Sequence, residues 1–536
     1  MDSRIVLAAS LAIGLFSAVP AFPEEPASGP GGATVGDIRI VPGNIFDLED
    51  PKENNWLFRL ANRLHIRTRP SVIRRQLLFR PGDKYDSRLL AESERILRSN
   101  GYFYDAQVRP AEVSEGRVDV EVRTRDVWTL DPGVSFERKG GKNSTGVNLK
   151  EKNLLGLGTE LGIAIKSTPE RREQSLSVSD SHLFGTRIRA AVEFANNSDG
   201  KRRSFLLERP FYALDARWAA SAVFARDDRV DTIVGVGTVA AEFRTRAENI
   251  NVSGGWSRGL SKGWVWRYFL GGKRDQSRFY AVPGATAAAP VPADRVLVYP
   301  FAGVEIIQDT FETAKNRDQI ERTEDFFLGL LVRATAGYSF PAFGSDRYAI
   351  PFTASVQKGA QFGDRWTVTS NATAAGRVEG GAARDTTLSA GAHVYVRLGE
   401  SWLSFASVSG SREVKPDDDH QLTLGGDTGL RGYPIHYQAG VREFLVTVEQ
   451  RYFSSWYPFR LFRVGAAAFF DVGRAWGGTR TGFPAPGRLR DAGVGLRIGN
   501  ARSGLGNVIH VDVAFPVDGD PSIARAQILV ETKSSF

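Results

Sequence analysis

Few residues in this 536-residue chain are spaced to do covalent chemistry. Gly255-Trp256-Ser257-Arg258-Gly259 has the spacing of a nucleophile elbow, in which a strand, a sharp turn and a helix together expose a serine Oγ. No helical pattern follows it. Ile250, Val252, Gly254 and Trp256 alternate with Asn251, Ser253 and Ser257, so a strand running into a turn is expected there. Asp417-Asp418-Asp419-His420 could attract a divalent cation by charge, but it lacks the ligand spacing of a calcium loop and reads as a solvated loop. The six histidines, at 65, 182, 393, 420, 436 and 510, form no ligand spacing. Cysteine is absent, and no glycine loop is built to cradle phosphate. The chain is therefore not expected to be an enzyme, and no cofactor or metal is expected.

The elements around these residues point to export and a membrane. Arg4 precedes an apolar run from Ile5 to Val19 that ends in Val19-Pro20-Ala21, and this predicts a signal peptide over 1–21. The run falls short of the ~20 residues that cross a bilayer as a helix, so an uncleaved anchor is the weaker reading. No later stretch is apolar for the ~18 residues a spanning helix needs, so any membrane-spanning part must be a closed barrel. The lack of cysteine suits passage through an oxidising periplasm. The 69 Lys+Arg against 61 Asp+Glu give +8, spread over many short segments. Nucleic acid is not an expected partner, whereas acidic lipopolysaccharide or phospholipid head groups could be.

Residues 22–34, rich in Pro, Gly and Ser, read as a flexible leader. A small α+β domain is expected over 35–128: an extended segment from Asp37 to Phe46, helices over Ser71–Leu78 and Ser87–Asn100, and strands Phe103–Val113 and Arg117–Leu130. Asp86 is the expected N-cap of the longer helix and Gly101 its stop. Between Asn54 and His65, Trp56, Leu57, Leu60 and Leu64 make an amphipathic stripe, which reads as core packing ahead of membrane contact.

From 129 to 536 the pattern is period two in segments of about ten residues, split by Gly, Asn, Asp and Pro turns. Ile188, Ala190, Val192 and Phe194 share one face; so do Leu161, Ile163 and Ile165, and so do Ile509, Val511, Val513 and Phe515, which alternate with His510 and Asp512. Apolar out and polar in is the assignment for an antiparallel transmembrane barrel. About 20 segments are expected, an even number, with long connections at Arg226–Ala240, Ser277–Arg295, Val414–Val441 and Gly473–Arg490 and short ones on the other side. Phe311–Asp325 breaks the rule as a long turn on the short side. A soluble multidomain β protein would need linkers, and none follows Leu130.

Two motifs sharpen the reading. Gly425-Gly426-Asp427-Thr428-Gly429-Leu430-Arg431-Gly432-Tyr433 lies in the long connection, and Phe469-Phe470-Asp471-Val472-Gly473 ends the second strand after it. Together they resemble the superfamily of outer-membrane assembly and translocation barrels (bacterial surface antigen type), which includes the Bam and Tam insertases and the two-partner secretion transporters. The resemblance implies that the loop folds back into the lumen, where Arg431, with Gly432 and Tyr433, meets Asp471 and Gly473. The alternation agrees, because Asp471 falls on the polar face with Arg463. Alone, the loop motif would read equally as a glycine-rich surface turn. Asn153-Leu154-Leu155-Gly156-Leu157-Gly158 is similar to the family's early turn, and Arg209-Pro210-Phe211-Tyr212 to its aromatic strand end. Ser71 to Arg123 resembles one polypeptide-transport-associated (POTRA) repeat.

The resemblance implies about 16 strands, so the hairpin from Thr186 to Leu207 reads as inserted: either the barrel is larger, or some segments are loop hairpins. At the C-terminus, Ile528, Val530 and Phe536 share one face, and the resemblance makes them an assembly signal. It further implies a bacterial outer-membrane location with the N-terminal domain in the periplasm, and a role in inserting or translocating polypeptides. Implied partners are lipid, lipopolysaccharide, unfolded or exported polypeptide clients and other assembly-machinery subunits. The alternatives are a passive solute pore and a surface-exposed barrel.

Overall fold

The computed structural model describes residues 32–114, 116–235, 238–285, 291–477, 487–502, 508–519, 521, 523–533 and 536. The expected signal peptide and most of the leader lie outside them.

Thr34–Gly43 (β1) starts at the last residue assigned to the leader. It is followed by helices Trp56–Leu64 (α1), Pro70–Gln76 (α2) and Ser87–Arg98 (α3), then strands Phe103–Ser114 (β2) and Arg117–Asp126 (β3). The strands form one sheet in the order β1, β3, β2, parallel between β1 and β3 and antiparallel between β3 and β2. Pro70 suits the first turn of α2, where its missing N–H costs nothing. Asp86 caps α3 by accepting from the Arg88 N–H. Val72, Ile73, Leu90 and Leu97 from these helices pack on Phe103, Val120 and Val122 of the sheet. Buried Gln76 is satisfied, donating to the Tyr102 hydroxyl at 2.8 Å and accepting from Asn100 at 2.6 Å.

α1 departs from expectation. Trp56, Leu57, Leu60 and Leu64 do share a face, but that face is exposed. The helix is held from its other side, where Phe58 stacks on Phe46 with ring centroids 3.9 Å apart. The physical reason is that α2 and α3 already close the domain core, to which α1 contributes no residue.

β3 ends at Asp126, and Leu130 opens the first barrel strand, Leu130–Lys139, rather than closing the sheet. Twenty antiparallel strands then close on themselves. Their outward residues include Ile163, Ile165, Leu270 and Val494, all exposed, while His510, Asp512 and Arg497 are buried inside. This alternation is what lipid outside and a polar lumen inside require. Among the described residues, no helix is long and apolar enough to cross a membrane. The barrel exceeds the count of about 16 that the resemblance implies. Arg189–Asn197 and Gly200–Arg209, from the segment that reads as inserted, are both strands of the wall.

Arg226–Ala240 is not an irregular connection. Trp218–Gly235 and Thr238–Ser261 stay paired almost to the turn, and Ile233, Ala241, Phe243 and Phe279 give that extension its own apolar cluster. The irregular long turn on the opposite side, next to the N-terminal domain, becomes a hairpin of Phe311–Ala314 and Glu324–Phe327 that enters the lumen.

Candidate functional site in the barrel lumen

The connection 415–441 is gathered by a short pair of strands, Leu422–Leu424 and Gln438–Gly440. Its glycine-rich tip lies inside the barrel, with Leu430, Arg431 and Tyr433 buried. Arg431 donates through Nε to Asp471 Oδ2 at 2.7 Å and through Nη2 to Oδ1 at 2.9 Å. This fork matches the two carboxylate oxygens and fixes direction as well as charge. Its Nη1 donates to Glu449 at 2.8 Å, and the guanidinium carbon lies 3.3 Å from the Phe469 ring centre. Thr447 Oγ1 also donates to Asp471, at 2.7 Å. Asp471 is fully buried, so these partners are what make its charge tolerable there.

The neighbours of Arg431 explain its motif. A Cβ on Gly432 would lie 2.7 Å from the Asp491 Cβ, and one on Gly473 would lie 2.8 Å from Leu424 Cδ2. Both glycines therefore let the loop lie directly on the wall. The Tyr433 hydroxyl donates toward the carbonyls of Arg490 at 2.8 Å and Asp518 at 3.0 Å, tying the tip to two further strand ends.

Around this pair runs a larger network that the motifs did not reveal. Glu449 also accepts from Arg451 Nε at 2.9 Å, so it bridges two arginines. Fully buried Arg497 pairs with Asp512, whose other oxygen lies 3.7 Å from Arg431. In sequence these groups are ordinary inward charges of a wet barrel, with nothing to single them out.

The hairpin reaches the same network from the other end. Arg451 Nη1 donates to the Arg317 carbonyl at 2.8 Å, and Asp318 accepts from the Tyr395 hydroxyl at 3.1 Å. Ile320 packs among Tyr395, Leu403, Phe405 and Phe453. Glu324 closes the turn by accepting from the backbone N–H of Arg317, Asp318 and Gln319 at 3.0–3.1 Å. On its other side the hairpin meets the N-terminal domain. Arg98 grips Asp325 through two bonds, at 2.6 and 2.8 Å, the Tyr104 hydroxyl donates to the Glu321 carbonyl at 3.1 Å, and Arg322 donates to the Phe103 carbonyl at 3.0 Å. A continuous run of polar contacts thus joins α3 to Arg431. The exceptional length of Phe311–Asp325 was the only sequence signal for it.

Ile528 faces outward and is exposed, and Val530 shares its side of the strand. Phe536 does not: it is buried in the lumen beside Phe453, with ring centroids 4.5 Å apart. Gly465 leaves the space, since a Cβ there would meet the Phe536 ring at 2.7 Å.

Ser257 lies within Thr238–Ser261, buried, with its Oγ accepting from the Gly259 N–H at 2.9 Å; this is not the strand, turn and helix of a nucleophile elbow. The acidic run is tied down by cations, with Asp417 bonded to Arg377 at 2.8 Å, Asp419 to Arg295 at 3.3 Å, and His420 to Asp385 at 2.7 Å. Ligand atoms of His510, Asp512 and Glu531 lie within 4.8 Å of one another, but Arg497 neutralises Asp512 and the lysines at 139 and 533 neutralise Glu531.

Residues 65–126 match the family model of the surface antigen variable number repeat, POTRA. The N-terminal unit is a POTRA domain. The match bears out the POTRA part of the resemblance, and β1 and α1 lie ahead of the matched residues. Among solved structures, the chain is similar to BamA from Haemophilus ducreyi lacking POTRA domains 1–3, at 12% identity and TM-score 0.37, covering 94% of this chain and 84% of that one. It is similar to CdiB from Escherichia coli at 12% identity and TM-score 0.36, covering 99% and 96%. It is also similar to the FrpB iron transporter from Neisseria meningitidis at 9% identity and TM-score 0.39, covering 80% and 78%. Scores this low carry no functional weight. No curated protein matches the chain.

Proposed function

We propose that this barrel inserts or translocates polypeptides at the outer membrane, with the POTRA domain in the periplasm. The observation that carries the reading is the seam. Among the described residues, the first and last barrel strands, Leu130–Lys139 and Gln527–Lys533, pair at one position, Arg138 with Val530, whereas every other neighbouring pair in the wall is matched over seven residues or more. Unmatched N–H and C=O groups at such a seam are a template for an incoming strand. The edge strand β2 offers a second template, exposed from Arg109 to Ser114 beyond the part held by the hairpin. Arg431, with Gly432, Tyr433 and Gly473, locks the loop to Asp471, so that the wall beside the seam keeps its shape while the seam works. Ile528 and Val530 present the last strand to lipid and to the assembly machinery. Two inserts in the lumen speak against a passive pore.

The test is a staple across the seam. Arg138→Cys with Val530→Cys should form a disulfide, and oxidation should abolish complementation in the native host while reduction restores it. Full activity of the oxidised, crosslinked protein would refute the seam mechanism.

A further inference from the structure

The exposed face of α1 needs an occupant. Trp56 is 70% exposed, Leu57 50%, Leu60 40% and Leu64 65%, and Ile66 just beyond the helix is 54% exposed. A soluble domain rarely leaves such a stripe to water. The helix is also fixed in place. Arg502, from the turn between two of the last barrel strands, donates to the Ile45 carbonyl at 2.9 Å, pairs with Glu53, and accepts through its own carbonyl from the Trp128 N–H at 2.6 Å. Leu461, from the neighbouring turn, packs on the same Ile45, Phe46 and Phe58 cluster that holds α1.

That neighbouring turn carries Trp456, 64% exposed, and Phe459, 80% exposed. The barrel's outward apolar surface therefore continues at its rim toward α1. The charge fits as well: α1 contains no acidic residue, and Arg59, Arg63 and the following Arg67 are exposed beside the apolar stripe. An apolar face flanked by arginine suits the boundary between phosphate head groups and acyl chains. A second copy of the same face would bring like charges together.

We propose that α1 is an interfacial anchor, lying along the membrane surface at the POTRA end with Trp56, Leu57, Leu60 and Leu64 among the acyl chains and the arginines on lipid phosphates. The POTRA domain is thereby held against the bilayer as well as against the barrel turns. The inference rests on the barrel lying in a bilayer, and the controls separate the two.

The chain has no cysteine, so single labels can be placed without removing any. Leu60→Cys, Leu64→Cys, Leu270→Cys on the outer wall and Lys52→Cys on exposed loop would each carry a fluorophore. Each full chain would be reconstituted into vesicles of phosphatidylethanolamine and phosphatidylglycerol containing lipid brominated on its acyl chains. Quenching at 60 and 64 comparable to that at 270, with none at 52, is expected. Quenching at 270 but not at 60 and 64 would overturn the anchor and leave the barrel's placement standing; no quenching at 270 would overturn both. Arg59→Glu with Arg63→Glu should lower quenching at 60 without changing it at 270, and an unchanged value would remove the arginines from the proposal. Self-quenching between copies at position 60 that replaces quenching by bromine would identify a dimer face instead and sink the anchor.

Discussion

Arg431 spends its whole donor fork on buried acceptors, so its partners are not interchangeable. Asp471→Ala would leave the guanidinium hydrogen-bonded to Glu449 with Asp512 more distant, and breaking a buried pair in this way costs about 3–5 kcal/mol. A lower temperature for the shift in heat-modifiable migration is expected. Arg431→Lys should fall between wild type and Asp471→Ala, because the charge remains and the fork is lost. Two histidines act on the same loop in a pH-dependent way. The Asp385 carboxylate raises the pKa of His420 against the effect of burial, and Glu170 and Asp427 do the same for His436. A histidine with a raised folded pKa contributes stability that is complete below its unfolded value of about 6.5 and is lost as pH rises through the folded one. Protection factors in 415–441, exchange being corrected for its intrinsic base catalysis, should therefore be higher at pH 5.5 than at pH 8.5, and His420→Gln should flatten that difference. Arg431 and Asp471 were legible in the sequence because the motifs name them and strand parity turns Asp471 inward. Glu449, Arg451 and Arg497 were not, since any wet lumen shows inward charges and only coordinates reveal which ones touch.

At the scale of elements, the hairpin and α1 were the parts least available from sequence. Period-two alternation says which face of a strand is polar, but it says nothing about a turn that folds back inside. Likewise, helical periodicity found the stripe on α1 without telling whether protein or lipid would cover it, because both solvents select the same pattern. The hairpin depends on Ile320 sitting among aromatic side chains, so Ile320→Asp would bury a carboxylate without a partner. Faster hydrogen exchange over 316–324 is expected, with the exchange of the wall strands unchanged. Glu324→Gln should act in the same direction and more weakly, by about 1–3 kcal/mol, because the three backbone donors of the turn use both carboxyl oxygens and an amide offers one.

Over the whole molecule, the even strand number, the closed wall and the division from the N-terminal domain were legible because the alternation recurs along some four hundred residues and each miss is diluted. The seam was invisible: Leu130–Lys139 and Gln527–Lys533 each read as ordinary strands, and nothing in either states how far they pair. Hydrogen exchange along these two strands should exceed that of Arg442–Phe453 and Phe462–Trp476, which pair over twelve positions. Equal protection would show that the junction is as firm as the rest of the wall.

The hairpin has one more consequence. Its base is gripped by Arg98 and its tip leans on Arg451, so it works as a lever whose handle is outside the barrel and whose blade is within. Any load that lifts the POTRA domain away from the rim would withdraw the blade first and strip Arg451 of the Arg317 carbonyl and of Asp318, leaving it to Glu449. Occupancy outside would then be felt inside as a change in charge balance around Arg431, with no strand of the wall having moved.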